Sequence, residues 1–587
     1  MMYSVFDKIV SPKQYVIYIV LSFFSVGAFA QKTQKVDIRS GFLEKRPEFP
    51  EAVIYTKERN QQVYITHEGV EMWCDQAFVY MQDNFVKAFG NVKIEQGDTL
   101  SMNSKYAEYN GNTQFAFASG DVVLTEPKTT LTTDTLYFNR LKQQAYYRTG
   151  GKVVDTASVL TSKIGRYYVE NKMYRFVEDV VVTHPKYVIN SPQLDFYSES
   201  GHAYLYGSSS IKGESSTVYC DRGYYNTRDD YGHFMQNARV DYENRIMYGD
   251  SIYFDRNTDF ASATNNIEII DTVNNSIARG HYAEVFKDKD SLFITKRAVA
   301  ISVQDNDSIY IHADTLRITG KEDHRIMRGF YDARIYKSDM SGKCDSIYVD
   351  ERTGITKMIT RPVLWTEDSQ MTGDTIHLLS NTKTEKLDTL KVFYNAFLIQ
   401  KDSSGYNQIK GMTLTGLFHD NELDTINIDK NAEVIYFTRN DKDELIGINH
   451  TLSSSLQLTL KEQEIEAIRF IKTVDGKLHP ESEFPENARL LRGFEWRGEE
   501  RLKSKADLFK GKPIPILPKI TGIPLPKFEE AFFDDIPEDD LDLPEASELE
   551  AKDILTNPND TKVRYREEEE GEVEVEAEPE DTSEDEE

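Results

Sequence analysis

The sequence predicts an all-β protein, an elongated solenoid or open roll built from about thirteen repeats of about 29 residues. Three observations predict it. A motif recurs at near-constant spacing, each copy carries short β-branched and aromatic runs bounded by Gly, Asn and Asp, and apolar side chains alternate with period two inside those runs.

The first element in the chain is an address. Lys8 and Lys13 precede an apolar run from Tyr15 to Val26, and Ala28-Phe29-Ala30 supplies the small residues that a signal peptidase reads. Residues 1–30 are therefore expected to be a signal peptide cleaved before Gln31, exporting the chain to the periplasm. A retained anchor is the alternative, but Gln14 to Ala30 sits at the short limit for crossing a hydrocarbon core of about 30 Å. No Cys follows the run to take a lipid anchor. Residues 31–62 form a lead-in.

The repeat array is expected over residues 63–475. Its clearest copies read Cys74-Asp75-Gln76-Ala77-Phe78-Val79-Tyr80, Thr133-Asp134-Thr135-Leu136-Tyr137-Phe138, Cys220-Asp221-Arg222-Gly223-Tyr224-Tyr225 and Gly249-Asp250-Ser251-Ile252-Tyr253-Phe254, with later copies at Asp314, Asp345 and Asp374. Taking the Asp as position zero, weaker copies place Lys105, Lys163, Pro192, His281, Met412 and Ser454 in the same slot. Each unit carries a second apolar run after a turn signal, such as Gly90-Asn91-Val92-Lys93-Ile94 and Gly120-Asp121-Val122-Val123-Leu124. Positions +2 and +4 share one face of a strand, and a single unit cannot bury that face alone. Neighbouring units must stack and share a continuous interior.

The slot residue itself reads as structural. Lys, Pro, His, Met and Ser replace the Asp, so a turn or strand-start role with a side chain bonded to local backbone is expected, not catalysis. Cys74, Cys220 and Cys344 all sit at position -1. Five units separate the first two, roughly 24 Å at one strand spacing per unit, beyond the disulfide reach of about 7 Å. Three free thiols are expected. No metal-ligand spacing, P-loop, G-x-G-x-x-G or G-x-S-x-G occurs, so no metal, cofactor or enzymatic activity is expected.

Past the array, residues 476–511 are expected to form a C-terminal cap region, with Trp496 to Leu508 closing the open end as a turn of helix. Residues 512–527 are Pro-rich, with Pro513, Pro515, Pro518, Pro524 and Pro526, and read as an extended linker or docking strip. Residues 528–587 read as an acidic, disordered tail. From Phe528 onward there are 27 acidic and 4 basic residues, which leaves 71 acids against 65 bases for the rest of the 98 and 69 in the chain. The nearly neutral body offers no basic stripe, so nucleic acid is disfavoured as a partner.

The succession Gly90-Asn91-Val92-Lys93-Ile94, Gly97-Asp98, Lys105-Tyr106-Ala107-Glu108-Tyr109-Asn110 and Gly120-Asp121-Val122-Val123-Leu124 resembles the repeat of the OstA-like (LptA-like) lipopolysaccharide-transport family. That family includes a periplasmic bridge protein and the N-terminal domain of the LptD outer-membrane translocon. The likeness is close from about Val63 to Ile269 and looser to about Ile471. It implies an open β-jellyroll whose apolar groove shields the acyl chains of lipopolysaccharide, or a related lipid, on the way to the outer membrane. It also implies a head-to-tail jellyroll partner, either another copy or a membrane-bound transport component, and association with the outer membrane. This chain departs from the family in having more units than a short bridge protein, no long C-terminal barrel, and an acidic tail. Under the resemblance, Leu136, Phe138, Ile252, Phe254, Leu316, Ile318, Ile347, Val349, Ile376 and Leu378, at positions +2 and +4, are the expected groove lining. The alternative is a structural or adhesive exported solenoid in which the same residues form a filled core with no ligand. A polysaccharide-active β-helix enzyme ranks behind both, for want of a cluster of acidic or basic residues confined to adjacent units.

Overall fold

The structure is a computed structural model that describes residues 36–521, apart from residues 60, 68, 99, 156–157, 304–306, 322–323, 367–368, 385, 420–421, 441 and 462–463. The expected signal peptide and acidic tail lie outside the described residues. The described chain forms 40 strands, all joined in antiparallel register into one continuous sheet. This is the elongated, all-β jellyroll that the repeats predict.

One unit is two strands, and each strand bends at its middle. The strand Phe85–Gln96 pairs with Leu100–Asn110, and the ladder skips between Phe89 and Val92, where Lys105 faces Gly90 and Asn91. Gly90 and Asn91 have φ of 71° and 45°. The same doublet of left-handed residues recurs at Gly120/Asp121, Glu178/Asp179, Gln236/Asn237, Asn265/Asn266, Tyr394/Asn395 and Lys430/Asn431. Two such residues make a bulge that sharply bends and twists a strand. The Gly-Asn pairs that read as turns between strands are therefore corners inside strands, because a left-handed doublet serves a bulge as well as a hairpin. The slot likewise lies mid-strand or at a break between half-strands, opposite the corner, and not at a strand start.

The corner explains the slot's chemistry. Asp75 takes a hydrogen bond from Asn91 Nδ2 at 2.8 Å, Asp250 from Asn266 at 3.0 Å and Asp374 from Asn395 at 3.0 Å. Where the slot is Lys, the corner residue is acidic: Lys105 pairs with Asp121 at 2.6 Å and Lys163 with Glu178 at 2.7 Å. Pro192 packs on Gly207, where a Cβ would approach its ring at 2.8 Å. The slot varies because its partner on the next strand varies with it.

Bending every strand at a common line gives two walls meeting at a crease. The first wall ends on a rim of turns such as 111–114, and the second on a rim such as 126–129. Residues facing between the walls form one continuous core running from Val63 to Leu458. The three cysteines lie in it, free and buried. Burial pushes each thiol up to about 12.

Beyond the last strand, Asp475–His479, the chain turns back and runs along the outer face of the second wall. Phe484 and Leu491 pack on Phe397, Ile399, Ile435, Phe437 and Ile448, residues that alternate with the inward-facing Leu398 and Val434. Two fully buried glutamines clamp this strap by its backbone. Gln408 donates to the Arg489 carbonyl at 2.7 Å and accepts from the Leu491 amide at 2.8 Å. Gln370 donates to the Glu495 carbonyl and accepts from the Arg497 amide, both at 2.7 Å. Further back, Arg334 donates to the carbonyls of Asp507, Leu508 and Lys510, and Lys512 pairs with Asp314 at 2.5 Å. Asn265 reaches the Pro518 carbonyl at 2.8 Å. Residues expected to close the open end thus lie along the side of the array.

Replacing Gln370 or Gln408 by Ala leaves a buried amide and carbonyl of the strap without partners, at a cost of about 1–3 kcal/mol. Faster hydrogen exchange and proteolysis across 484–500 check this. The Arg497 hydrogen bond, reinforced by Lys343, pulls the Glu500 carboxyl from 4.5 down to about 2 against the effect of burial. A depressed carboxyl stabilises the state in which it is ionised. Glu500 therefore contributes fully above pH 4.5, and its contribution fades as pH falls toward about 2. Acid release of residues 495–503 that vanishes in Glu500→Gln is the expected readout. Native thiol alkylation at about pH 8 is expected to leave all three cysteines unmodified.

Candidate functional site: the trough between the walls

Downstream of residue 215 the walls enclose a cavity of about 1810 Å³. The first wall contributes Phe254, Val285, Leu292, Ile318, Met327, Val349 and Leu378. The second contributes Val240, Ile269, Ala300, Ile311, Ile335, Met371 and Leu398. Phe418, Leu423 and Ile465 line its far end, while its margins are polar rim turns with Asn244, Asn275, Lys287, Asp290, Lys337 and Lys386. An apolar floor with polar margins suits a ligand that is apolar along one side and hydrated on the other.

The period-two pattern sorts the expected lining into two layers. Ile252, Leu316, Ile347 and Ile376, at +2, are at most 2% exposed and lie where the walls converge at the crease. Phe254, Ile318, Val349 and Leu378, at +4, stand further from the crease and face the cavity. Leu136 is buried and Phe138 packs against the same core upstream; neither lines this cavity. The second-wall residues were not singled out from sequence. The signal was present in runs such as Ile267-Glu268-Ile269, whose alternation marks Ile267 and Ile269 as inward-facing.

The mouth is bridged at intervals by contacts from rim to rim. Arg325 on the first rim meets Asp271 on the second at 2.6 Å, both side chains below 9% exposure. Lys287 Nζ lies 4.7 Å from the centre of the Tyr242 ring, and Arg256 5.6 Å from that of Tyr187. Lys186 pairs with Asp230 at 2.8 Å. The first-rim partner lies downstream, by 44 residues for Lys186 and Asp230, by 45 for Thr129 and Tyr174, and by more for Asp271 with Arg325 and Tyr187 with Arg256. Sheet twist supplies that stagger. Burial works to raise the Asp271 pKa, but the Asn274 amide and the Arg325 guanidinium outweigh it and hold the carboxyl below its ordinary value. Burial holds the nearby Glu351 carboxyl above its own.

Comparison with known families finds a match between residues 46–192 and the family described as OstA-like protein. Residues 46–192 form an OstA-like segment. Among solved structures, the chain is similar to LptH, the LptA homologous periplasmic component of the conserved lipopolysaccharide transport device from Pseudomonas aeruginosa. That similarity has 16% identity, covers 24% of this chain and 99% of that one, and has a TM-score of 0.19. No curated protein matches. The OstA-like segment ends before the trough begins, since the residues lining the cavity run from Ser215 to Ile465.

Breaking a buried ion pair from one side leaves an uncompensated charge and costs about 3–5 kcal/mol. Arg325→Met is therefore expected to raise hydrogen exchange in the rim turn 272–275 without changing the strands at 52–80. Unaltered protection at 272–275 would show that the bridge does not hold the mouth.

Proposed function

We propose that the chain is a periplasmic carrier that shields the acyl chains of lipopolysaccharide, or of a lipid of the same multi-acyl class, in the trough between its walls. The observation that carries this reading is the large cavity with an apolar floor and polar rims in an array whose N-terminal part is OstA-like. With a water-sized share of about 30 Å³ per methylene, such a cavity has room for on the order of 60 methylene groups. That capacity suits several acyl chains, where a single fatty acid would leave most of it empty. Each methylene taken from water gains about 0.8 kcal/mol. Repeated, similar positions along the wall let a bound chain shift by one unit while exchanging one set of contacts for an equivalent one.

In this reading Phe254, Ile318, Val349 and Leu378 touch the acyl chains. Ile252, Leu316, Ile347 and Ile376 form the floor that holds the walls together, and Leu136 and Phe138 take the same two roles upstream. Among the described residues the end strands of the array are paired on one side only, and their other edges offer main-chain donors and acceptors to a head-to-tail partner, a second copy or a membrane-bound jellyroll.

Lipid co-purification tests the proposal. The full chain isolated from its own envelope is expected to carry lipopolysaccharide, detected by native mass spectrometry and lipid extraction. A carboxylate in the trough at Phe254→Asp or Val349→Asp costs enough desolvation to lower the retained lipid by about tenfold or more. A lipid-free chain that also takes up no added lipopolysaccharide would favour the structural array instead.

A further inference from the structure

The interior changes character upstream of the trough, from Tyr147 in the later part of the OstA-like segment to Phe234. Tyr147, Tyr167, Tyr174, Phe176, Tyr225 and Phe234 project inward from the first wall, each at most 4% exposed. The equivalent inward positions on either side carry mostly small or aliphatic residues, such as Ala107, Ala118, Ile252 and Ala263, with single phenylalanines at Phe138 and Phe254. The rings fill the space between the walls. Tyr167 stacks on Tyr174 at 4.2 Å, and Tyr225 meets Tyr187 of the opposite wall edge-on at 5.2 Å. Glycines make room for them: a Cβ on Gly151 or Gly165 would fall within 2.4 Å of the Tyr147 ring, and one on Gly232 within 2.5 Å of Phe234.

This filled stretch is also where the mouth is bridged by tyrosine hydroxyls and a surface lysine. Thr129 Oγ1 lies 3.3 Å from the Tyr174 hydroxyl. Tyr225 donates to Asp230 at 3.2 Å, and Asp230 pairs with Lys186, whose side chain is 64% exposed. The Tyr187 hydroxyl is buried with no hydrogen-bond partner among the described residues. A permanently filled core would be served better by Phe or Leu, because a buried hydroxyl without a partner is penalised. The lysine end of this pair stands in solvent, which screens it and can take its charge back when the pair parts.

We propose that this aromatic stretch is a gated bulkhead that closes the upstream end of the trough and separates it from the first repeats, those before Tyr147. Parting of the Lys186–Asp230 latch lets the rings at Tyr174, Tyr187 and Tyr225 swing toward the mouth, and cargo crosses between the two segments only then. The gating role rests on the lipid-carrier reading above; the existence of the filled partition does not.

The experiment has a lipid-free arm and a lipid arm, both on the full chain. Without lipid, tetranitromethane is expected to nitrate Tyr174 and Tyr225 at least about tenfold more slowly than Tyr331 and Tyr394, which are 67% and 55% exposed. Similar rates at all four overturn the bulkhead. With purified lipopolysaccharide, a photo-crosslinking residue at Val349 is expected to label lipid at least about tenfold more than one at Val86. Lys186→Ala, or the near-isosteric Asp230→Asn, is expected to raise labelling at Val86 severalfold. Equal labelling at both positions in the parent chain overturns the barrier, and no rise at Val86 in either variant overturns the gate. Protected tyrosines with no labelling anywhere support the partition and instead sink the lipid-carrier reading.

Discussion

The structure depends on one local conformation, the left-handed corner that recurs at the middle of alternate strands. Without it, forty antiparallel strands would lie in a single twisted sheet with two exposed faces and no interior. The left-handed region costs a residue with a side chain roughly 1–2 kcal/mol, so a crease repeated along the whole array needs compensation at every step. The facing strand provides it. The slot amide bonds across to carbonyls at the corner, as from Asp75 to Phe89 and Gly90 and from Asp374 to Phe393 and Tyr394. The slot side chain then ties the corner residue through an Asp–Asn or Lys–carboxylate contact.

The crease makes position along the strand equivalent to depth in the trough. A side chain two residues past the slot is at the floor and one four residues past it is higher on the wall, which is why Ile347 and Val349 have different surroundings despite similar chemistry. Beyond them lie the rims, where polar turns contact one another across the mouth with a stagger set by twist. The strap works from outside. By covering Phe397, Ile435 and Phe437 and fastening to Gln370 and Gln408, it ties the outer faces of successive units together along the axis. A stack whose units otherwise meet only their neighbours gains a longitudinal brace.

Much of this was legible in the sequence, and the unread parts share a cause. The repeat length, the all-β class, the inward +2 and +4 positions and the free cysteines follow from periodicity, a property of neighbours along the chain. The corner was visible as Gly90-Asn91 and Gly120-Asp121 but reads equally well as a hairpin, since one backbone conformation serves both. The strap was invisible, because its anchors pair residues far apart in the chain, such as Arg334 with Lys510, and a buried Gln in a strand carries no pattern of its own. The tyrosines of the filled stretch were in plain view, yet only the opposite wall shows that Tyr225 and Tyr187 meet across the interior.

The most direct measurement is an experimental structure of the full chain with lipopolysaccharide bound, at a resolution that separates acyl chains from side chains. The account predicts walls joined at the left-handed corners, with acyl density between them alongside Phe254, Val349 and Leu398 and the hydrated part of the lipid at the rims. Lipid bound only on the outer faces, or an interior packed solid from Val240 to Ile465, would contradict it.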